Sequence, residues 1–526
     1  MLKNKRREFL YALSVFGPNL IFTMLMAYFT TAVDPRNVRK DVGLWAQLVQ
    51  TNSEGVLEGM PIVVTALFGF IGLFGILFTV GRIFDALINV PLAAKLDRMK
   101  DKYARLRLPI LIAFVPLATG AAALCLPLVK TPESMLNTFW FFAALIVFVT
   151  AYSLSMVAFY SGLSSICKDR AQRARVSFFK SFIDTVQYAF AYALIPLILS
   201  GLRDTDLNIM HLILMSIPLM ATLFIPVIMS KGHKDNAAES TNASPNAALE
   251  AKEEEPKKVG IIASLMFVIK NKAFWSWMLV AFAYFMGLQL FLTMQNELIS
   301  GVLHLSVEYA ALLNAAAFGP VPIMLFFYNK IMKKKGIRFA LQVSLLSFAA
   351  GILCFSLGSA MFFPNSIVPR IIINAIGGTI ASFSIGAFFM MVLMVPGQVA
   401  AVELKVTKHR NSGMYFAGQG IVIGIASAIA TGLLANNALR GIGEFFVASS
   451  LAEGGTYNIP IGGFITPFVV AFLSLVAFGL AFLMPKSYDA KTIGKLFDSN
   501  YVPDNEDLLD SEIVKKNDGV REQNGA

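Results

Sequence analysis

The stretch GRIFDALINVPLAAKLDRMKDKYARLRLP, from Gly81 to Pro109, places polar side chains inside an apolar segment. Its first part carries Arg82, Asp85 and Asn89, which are three and four residues apart. At that spacing the three side chains share one face of a helix. A charge inside the hydrocarbon layer costs roughly 2.5–3.5 kcal/mol on insertion scales, so such a face usually lines a protein interior or a pathway. We therefore expect this helix to line a functional site.

The composition is that of a polytopic membrane protein. Of the 526 residues, 56% are hydrophobic and only 15% are charged, whereas soluble domains typically contain about 25% charged residues. The net charge of +11 is concentrated in short loops. A nucleic-acid-binding protein would instead carry a basic face on a soluble domain. The three cysteines have no paired spacing, so we expect neither a disulfide framework nor a metal site.

Apolar runs predict where the chain crosses the membrane, because about 20 helical residues span the hydrocarbon layer. Twelve such runs are present. They cover approximately residues 8–32, 60–94, 108–129, 137–165, 176–200, 208–230, 272–298, 307–330, 338–360, 365–396, 412–436 and 460–484. We therefore predict an all-α polytopic membrane protein with twelve transmembrane helices.

A polar linker divides the twelve helices into two groups of six. Residues 231–258 are poor in apolar side chains, a composition typical of disorder. Each group has a basic loop after its second helix and a charged loop after its fourth, and two similar halves are typical of transporters built from parallel repeats. We predict an N-terminal six-helix bundle over 1–230, a C-terminal six-helix bundle over 259–485 and a cytoplasmic tail over 486–526.

Lysines and arginines are concentrated in alternate loops, which predicts the orientation of the chain because cytoplasmic loops are rich in both residues. The basic set comprises Lys3, Lys5, Arg6, Arg7, the run from Lys95 to Arg107, Lys168, Arg170, Arg173, Arg175, Lys330, Lys333, Lys334, Lys335, Arg338, Lys405, Lys408 and Arg410. We therefore expect an integral protein of the cell (plasma) membrane with both termini in the cytoplasm.

The opening stretch resembles the glycoside–pentoside–hexuronide:cation symporter family of the major facilitator superfamily, the melibiose-permease-like proteins. The matching or nearly matching positions are Gly81, Arg82, Asp85, Ala86, Asp97, Arg98, Lys100, Lys102, Arg105, Arg107 and Pro109. Further resemblances lie at Phe16–Asn19, Phe159–Ser161 and Lys168–Arg170. The resemblance implies the major facilitator fold with two six-helix bundles, and symport of a small polar solute with H⁺ or Na⁺ by alternating access. By resemblance the solute is a sugar or glycoside.

The chain departs from the family's pattern where the family binds its sugar. The sugar-binding acids of the family's helices one and four fall on Asn19 and Met156, and the second acid of helix two falls on Asn89. The aromatic residue of helix four is kept in kind as Tyr160, and the arginine of helix five falls on Lys180. The resemblance therefore implies a divergent member whose substrate cannot be transferred from its relatives.

Asp85, Asn89 and Ser153 form the candidate cation site. A carboxylate and an amide oxygen one turn apart offer two ligands, and Ser153 falls on the family's cation-site hydroxyl. One carboxylate holds Na⁺ less well than two would, whereas a proton needs only one acid, so both ions stay open. The alternative is an ion pair between Arg82 and Asp85 that only stabilises the helix.

Polar residues on several helices form the candidate solute site. Lys180, Asp184, Gln187 and Tyr188 follow one face of the fifth helix, as expected for a helix that lines a cavity. A salt bridge at the cytoplasmic end of that helix is the alternative explanation for the first two. The other predicted members are Asn19, Thr23, Arg82, Met156, Tyr160, Tyr415 and Gln419.

Two other functions are compatible with the sequence. Met156 and Lys180 suit an amphipathic or anionic solute better than the family's sugar-binding pattern does, and a membrane sensor would bind a solute without transporting it. The four histidines are far apart in sequence and no catalytic motif stands near them, so we expect no enzyme activity. We expect a monomer in membrane lipid, with a small-molecule solute as partner, no nucleic acid, and no cofactor besides the coupling ion, Na⁺ or H⁺.

Overall fold

The computed structural model is largely helical. It describes residues 5–33, 50–51, 57–58, 73–97, 99, 101–126, 128–129, 135–167, 170–195, 197–198, 209–231, 271–305, 307–407, 412–439, 444–450, 455–486, 488 and 490–497. The predicted linker after residue 231, the first part of the second predicted span and the tail after residue 497 lie outside the described residues.

Eight helices among the described residues of the N-terminal half form six membrane-crossing elements. These helices are α1 (Lys5–Leu13), α2 (Phe16–Val33), α3 (Leu73–Asp97), α4 (Lys102–Cys125), α5 (Met135–Ile166), α6 (Arg170–Ala189), α7 (Ile209–Ser216) and α8 (Phe224–Ser230). The segment Phe190–Leu194 extends α6 as a π-helix, and the 3₁₀ segment Ile217–Leu223 joins α7 to α8. A pair of two-residue strands, β1 (Gln50–Thr51) and β2 (Leu57–Glu58), lies between α2 and α3.

The described residues of the C-terminal half form helices and a β-hairpin. Its helices are α9 (Lys272–Glu297), α10 (Val307–Phe318), α11 (Val321–Lys335), α12 (Ile337–Leu357), α13 (Ile367–Thr407), α14 (Ser412–Ala428), α15 (Ile461–Leu480) and α16 (Ala490–Phe497). The π-helical segments Leu298–Val302 and Ile429–Leu439 extend α9 and α14. Between α14 and α15, β3 (Glu444–Ser450) pairs antiparallel with β4 (Gly455–Pro460).

Ten helical stretches among the described residues are long and apolar enough to cross a membrane. The two predicted spans that are not among them are α3 and α6, which carry the buried residues Asp85, Lys180 and Asp184. Both have the length to cross, since α3 alone has 25 residues. Helix α3 packs against α5 and α14, and α6 packs against α13, so their charged faces lie inside the bundle. The predicted twelve-helix architecture is therefore confirmed.

Hydrogen bonds hold several helix ends together at one face of the molecule. Arg175, near the start of α6, donates two hydrogen bonds of 3.0 Å to the buried carboxylate of Glu8 in α1. Arg338, at the start of α12, donates to the backbone oxygens of Phe482 and Met484 at 3.3 and 3.4 Å. We call this the basic face, because the lysine- and arginine-rich helix ends meet there.

The chain returns to the bundle after its last crossing. Tyr488 is buried, and its hydroxyl donates a 2.7 Å hydrogen bond to the backbone oxygen of Ala273 in the first turn of α9. Burial raises the pKa of the Tyr488 hydroxyl, which keeps it protonated at neutral pH. The amphipathic helix α16 packs on α13 with Ile493 fully buried. The first part of the predicted tail thus belongs to the folded C-terminal half.

Glycines allow α12 and α13 to pack with their backbones in contact. A Cβ atom added at Gly351 would lie 2.5 Å from the backbone oxygen of Gly377, and one added at Gly377 would lie 2.4 Å from Cβ of Cys354. Real Cβ atoms do not approach other atoms so closely, so any larger residue would push the two helices apart. By contrast, a Cβ atom added at Gly479 of α15 would have no neighbour within 4 Å.

We expect the Gly377→Leu substitution to destabilise the protein by at least about 2 kcal/mol, because overfilling a packed interface strains both helices. Thermal unfolding of the detergent-solubilised protein measures the loss. The matched control is Gly479→Leu, which adds the same side chain to an open position and improves helix propensity. An equal loss in both variants would contradict the close packing of α12 on α13.

Candidate functional site

The structure brings together Asp85 and Ser153, two of the three residues predicted to bind a cation. Asp85 lies in the middle of α3 and is 8% exposed. The hydroxyl of Ser153 on α5 donates a hydrogen bond to its carboxylate. Asn89, one turn further along α3, donates through its Nδ2 to the backbone oxygen of Asp85 at 2.9 Å. That bond occupies the amide nitrogen, so the amide oxygen of Asn89 remains suited to bind an ion.

The alternative partner of Asp85, Arg82, lies on α3 as predicted. Its side chain is outside the described part of the structure. The interpretation of Asp85 as part of an ion site therefore rests on its other neighbours.

Asn89 also lies at the contact between the two halves. A Cβ atom added at Gly420 of α14 would lie 3.3 Å from the Nδ2 atom of Asn89. The glycine therefore allows α14 to pack closely on this turn of α3. A site formed by Asp85 and Asn89 is thus adjacent to a surface of the C-terminal half.

Lys180 and Asp184 form a buried ion pair on α6. Both side chains are 7% exposed, and they are one turn apart. Asp184 also accepts a 3.3 Å hydrogen bond from the amide of Asn19 on α2. The Lys180 ammonium lies 5.8 Å from the ring centre of Tyr160 on α5, within the range of a cation–π contact. The pair therefore lies inside the bundle and contacts two of the other predicted site residues.

Tyr152 on α5 belongs to this cluster, although the sequence did not predict it. Its hydroxyl donates a 3.0 Å hydrogen bond to the amide oxygen of Asn19, and its ring stacks on Phe22 with 4.3 Å between the ring centres. Its neighbour Ser153 contacts Asp85. Consecutive helix positions are rotated by about 100°, so an argument from shared helix faces misses Tyr152. Helix α5 therefore contacts both candidate sites through adjacent residues.

Three further predicted residues complete the cluster in the N-terminal half. Gln187 on α6 donates a hydrogen bond to the hydroxyl of Thr23 on α2. Met156 is buried on α5 between Ser153 and Tyr160. Amide and hydroxyl groups from α2, α5 and α6 thus lie close to the ion pair, together with an apolar thioether.

The two site residues predicted in the C-terminal half have other contacts. Tyr415 accepts a 3.2 Å hydrogen bond from Asn271 at the start of α9. Gln419 accepts from Trp277 at 2.8 Å and donates to the backbone oxygen of Val392 at 2.9 Å. These bonds join α14 to α9 and α13 within the C-terminal half. Tyr415 and Gln419 therefore link helices within the C-terminal half, and their hydrogen bonds are not to the polar cluster on α2, α5 and α6.

Comparison with known proteins gives a family and a fold. A family model described as "MFS/sugar transport protein" matches residues 71–483. The xylose transporter XylE from E. coli, solved in a partially occluded inward-open conformation, matches with 14% identity and a TM-score of 0.53 over 90% of this chain and 95% of that one. At this identity the likeness concerns the fold alone.

Weaker structural matches include two other transporters. The nucleoside transporter NupG has 11% identity and a TM-score of 0.48 over 94% of this chain and 99% of its own. A variant of the fucose:proton symporter FucP from E. coli has 14% identity and a TM-score of 0.49 over 91% and 98%. No curated protein sequence matches the chain.

We expect Lys180→Met and Asp184→Leu each to lower stability by about 3–5 kcal/mol, because each leaves a buried charge without its partner. The double variant should recover most of that loss, since two apolar side chains of similar size can replace a buried pair. Thermal unfolding in detergent measures all three.

The control for these variants is Arg107→Met at the basic face. Arg107 and Asp101 are 4.0 Å apart and partly exposed, and such pairs contribute about 0–1 kcal/mol. If the double variant were as unstable as the worse single variant, the two charges would not stabilise each other.

Proposed function

The chain belongs to the MFS/sugar transport protein family, and we propose that it carries a neutral sugar or glycoside across the membrane together with H⁺ or Na⁺. Transport proceeds by alternating access, in which the two halves rock around a site between them. We further infer that the basic face is cytoplasmic, in agreement with the distribution of lysine and arginine. The protein acts as a monomer in the plasma membrane and without enzyme activity.

The observation that carries the coupling proposal is the position of Asp85. A carboxylate in the hydrocarbon layer is costly and usually marks an ion pathway. Asp85 is buried beside the hydroxyl of Ser153 and one turn from Asn89, which contacts the C-terminal half. A cation bound there neutralises the carboxylate. The bound ion then favours the state in which the halves close, because an ion shifts the equilibrium only if it binds one state better.

Charge in the polar cluster favours a neutral solute over an anionic one. The ammonium of Lys180 is already paired with Asp184 on the same helix. An anion would have to compete with that carboxylate and would add a second negative charge near Asp85. The amides of Asn19 and Gln187 and the hydroxyl of Tyr152 can instead exchange their present hydrogen bonds for bonds to sugar hydroxyls. The anionic solute and the non-transporting sensor lack comparable support.

We expect Asp85→Asn to lower concentrative uptake at least about 100-fold while leaving the protein folded. The amide has nearly the same shape as the carboxylate but carries no charge to balance a cation. Solute accumulation in energised vesicles measures this. The variant should retain solute exchange without a gradient, since exchange does not require the ion to be released.

The matched control is Asp101→Asn. Asp101 caps the start of α4 by accepting from the backbone nitrogens of Tyr103 and Ala104, and asparagine caps equally well. Undiminished accumulation by the Asp85→Asn variant would refute the role of Asp85 in coupling.

We expect a panel of solutes in counterflow assays to divide by charge and by amphipathic character: neutral mono- and disaccharides or their glycosides should exchange, whereas anionic sugar phosphates and amphipathic lysophospholipids should not. For an accepted solute, Asn19→Ala should raise the half-saturating concentration about tenfold, the loss of roughly one hydrogen bond at a buried site. Ser474→Ala, which removes a bond to the backbone of Leu345 within the C-terminal half, is the control. Preferential exchange of anionic solutes would overturn the proposed substrate class.

A further inference from the structure

Stacked aromatic rings join the two halves on either side of the buried ion pair. Tyr160 on α5 stacks on Phe416 of α14, with 5.2 Å between ring centres and 15° between ring planes. We call this the basic-side stack. Tyr188 on α6 stacks on Phe389 of α13 at 5.1 Å and 20°, and on Phe318 of α10 at 5.8 Å and 18°. We call these three rings the far-side stack.

The helix directions place the two stacks at different depths. At a rise of about 1.5 Å per residue, Tyr160 lies roughly 9 Å from the end of α5 at the basic face. Helix α6 begins at that face, so Lys180 lies roughly 15 Å from it, Asp184 roughly 21 Å and Tyr188 roughly 27 Å. In depth, the ion pair therefore lies between Tyr160 of the basic-side stack and Tyr188 of the far-side stack.

The two stacks are built from the same residue types, tyrosine and phenylalanine. In each, the N-terminal half contributes a tyrosine from a helix of the polar cluster, and the C-terminal half contributes phenylalanine. Aromatic pairs contribute only modestly beyond the area they bury. Such a contact holds two surfaces together, and the surfaces can separate without leaving a charge unpaired.

The strongest polar interaction of the cluster does not oppose such a separation. Lys180 and Asp184 lie on the same helix, so their ion pair stays intact when the halves move apart. The halves are also joined by neutral bonds to backbone oxygens. Near the far-side stack, Asn314 donates to Tyr192 at 2.7 Å. Beside the ion pair, Ser181 donates to Gly386 at 3.0 Å.

We propose that the two stacks are the gates of the transport pathway. The basic-side stack closes the polar cluster toward the basic face, and the far-side stack closes it toward the opposite face. The proposal rests on the transport function proposed above, because alternating access requires each face to open while the other stays closed. Phe416, Phe389 and Phe318 are positioning residues, which act by holding a tyrosine of the other half.

The test measures from which face the cluster can be reached. A Met156→Cys reporter, placed between the stacks, is introduced after Cys125, Cys167 and Cys354 have been replaced by alanine. A membrane-impermeant maleimide is then added to right-side-out or inside-out vesicles, without solute. Phe416→Ala should raise the labelling rate about two- to tenfold from the basic face and leave the rate from the opposite face unchanged. The range corresponds to the loss of one aromatic pair.

The Phe318→Ala/Phe389→Ala variant should show the reverse asymmetry, with faster labelling from the opposite face. Phe416→Leu keeps an apolar side chain without the ring and should give a smaller rise on the same side as Phe416→Ala. It keeps the proposal testable if the alanine variant does not fold.

The control is Phe388→Ala, next to a gate residue in sequence. Its ring stacks on Tyr284 at 4.0 Å and lies 5.5 Å from Trp277, so it packs within the C-terminal half. It should change the labelling rate less than twofold from either face. If gate and control variants changed labelling equally, or from both faces at once, the stacks would be ordinary packing.

This outcome is independent of ion coupling, because labelling requires neither solute nor ion. Failure of the Asp85 experiment would leave the gate test intact. Symmetric labelling with normal uptake would overturn the gates while leaving the transport function in place.

Discussion

The need to neutralise buried charge inside a membrane determines how this protein is arranged. Asp85, Lys180 and Asp184 lie on α3 and α6, and neither helix could present such residues to lipid without a large cost. Helix α3 is therefore covered by α5 and α14, and α6 by α13. The apolar helices α4 and α15 expose large hydrophobic side chains and need no such cover. The order of helices from the interior to the lipid thus follows from where the sequence places its charges.

The two halves contribute different kinds of side chain to the interface between them. The N-terminal half holds the acids, amides and hydroxyls, already bonded to one another through Asn19, Tyr152 and Ser153. The C-terminal half presents mainly glycine and phenylalanine, and its polar contacts across the interface are neutral bonds such as that of Asn314 to the backbone oxygen of Tyr192. A polar network whose charged members are bonded within one half can remain ordered while a largely apolar surface approaches or leaves it. Because of this division, the polar groups of the N-terminal half can keep their positions while the two halves move relative to each other.

Most of the fold could be predicted because membrane thickness sets a minimum length for each helix. The contact between Asp85 and Ser153, expected from family resemblance, is present. Hydropathy could not predict which way α14 faces. Its polar residues Tyr415 and Gln419 bond within their own half, while positions 416 and 420, each one residue further, contact the other half. Polarity alone does not predict the face of a helix that meets the other half, because polar groups can also join helices within one half.

The return of the chain at Tyr488 has a practical consequence for anyone who attaches a label. The last membrane helix ends near residue 483, which looks like a natural place to fuse a fluorescent protein. Replacing the residues beyond 483 in this way would remove Tyr488 from Ala273 and α16 from α13, and would uncover apolar surface of the C-terminal half. A probe joined beyond residue 497 leaves Tyr488 and α16 in place and reports on the protein in its native form.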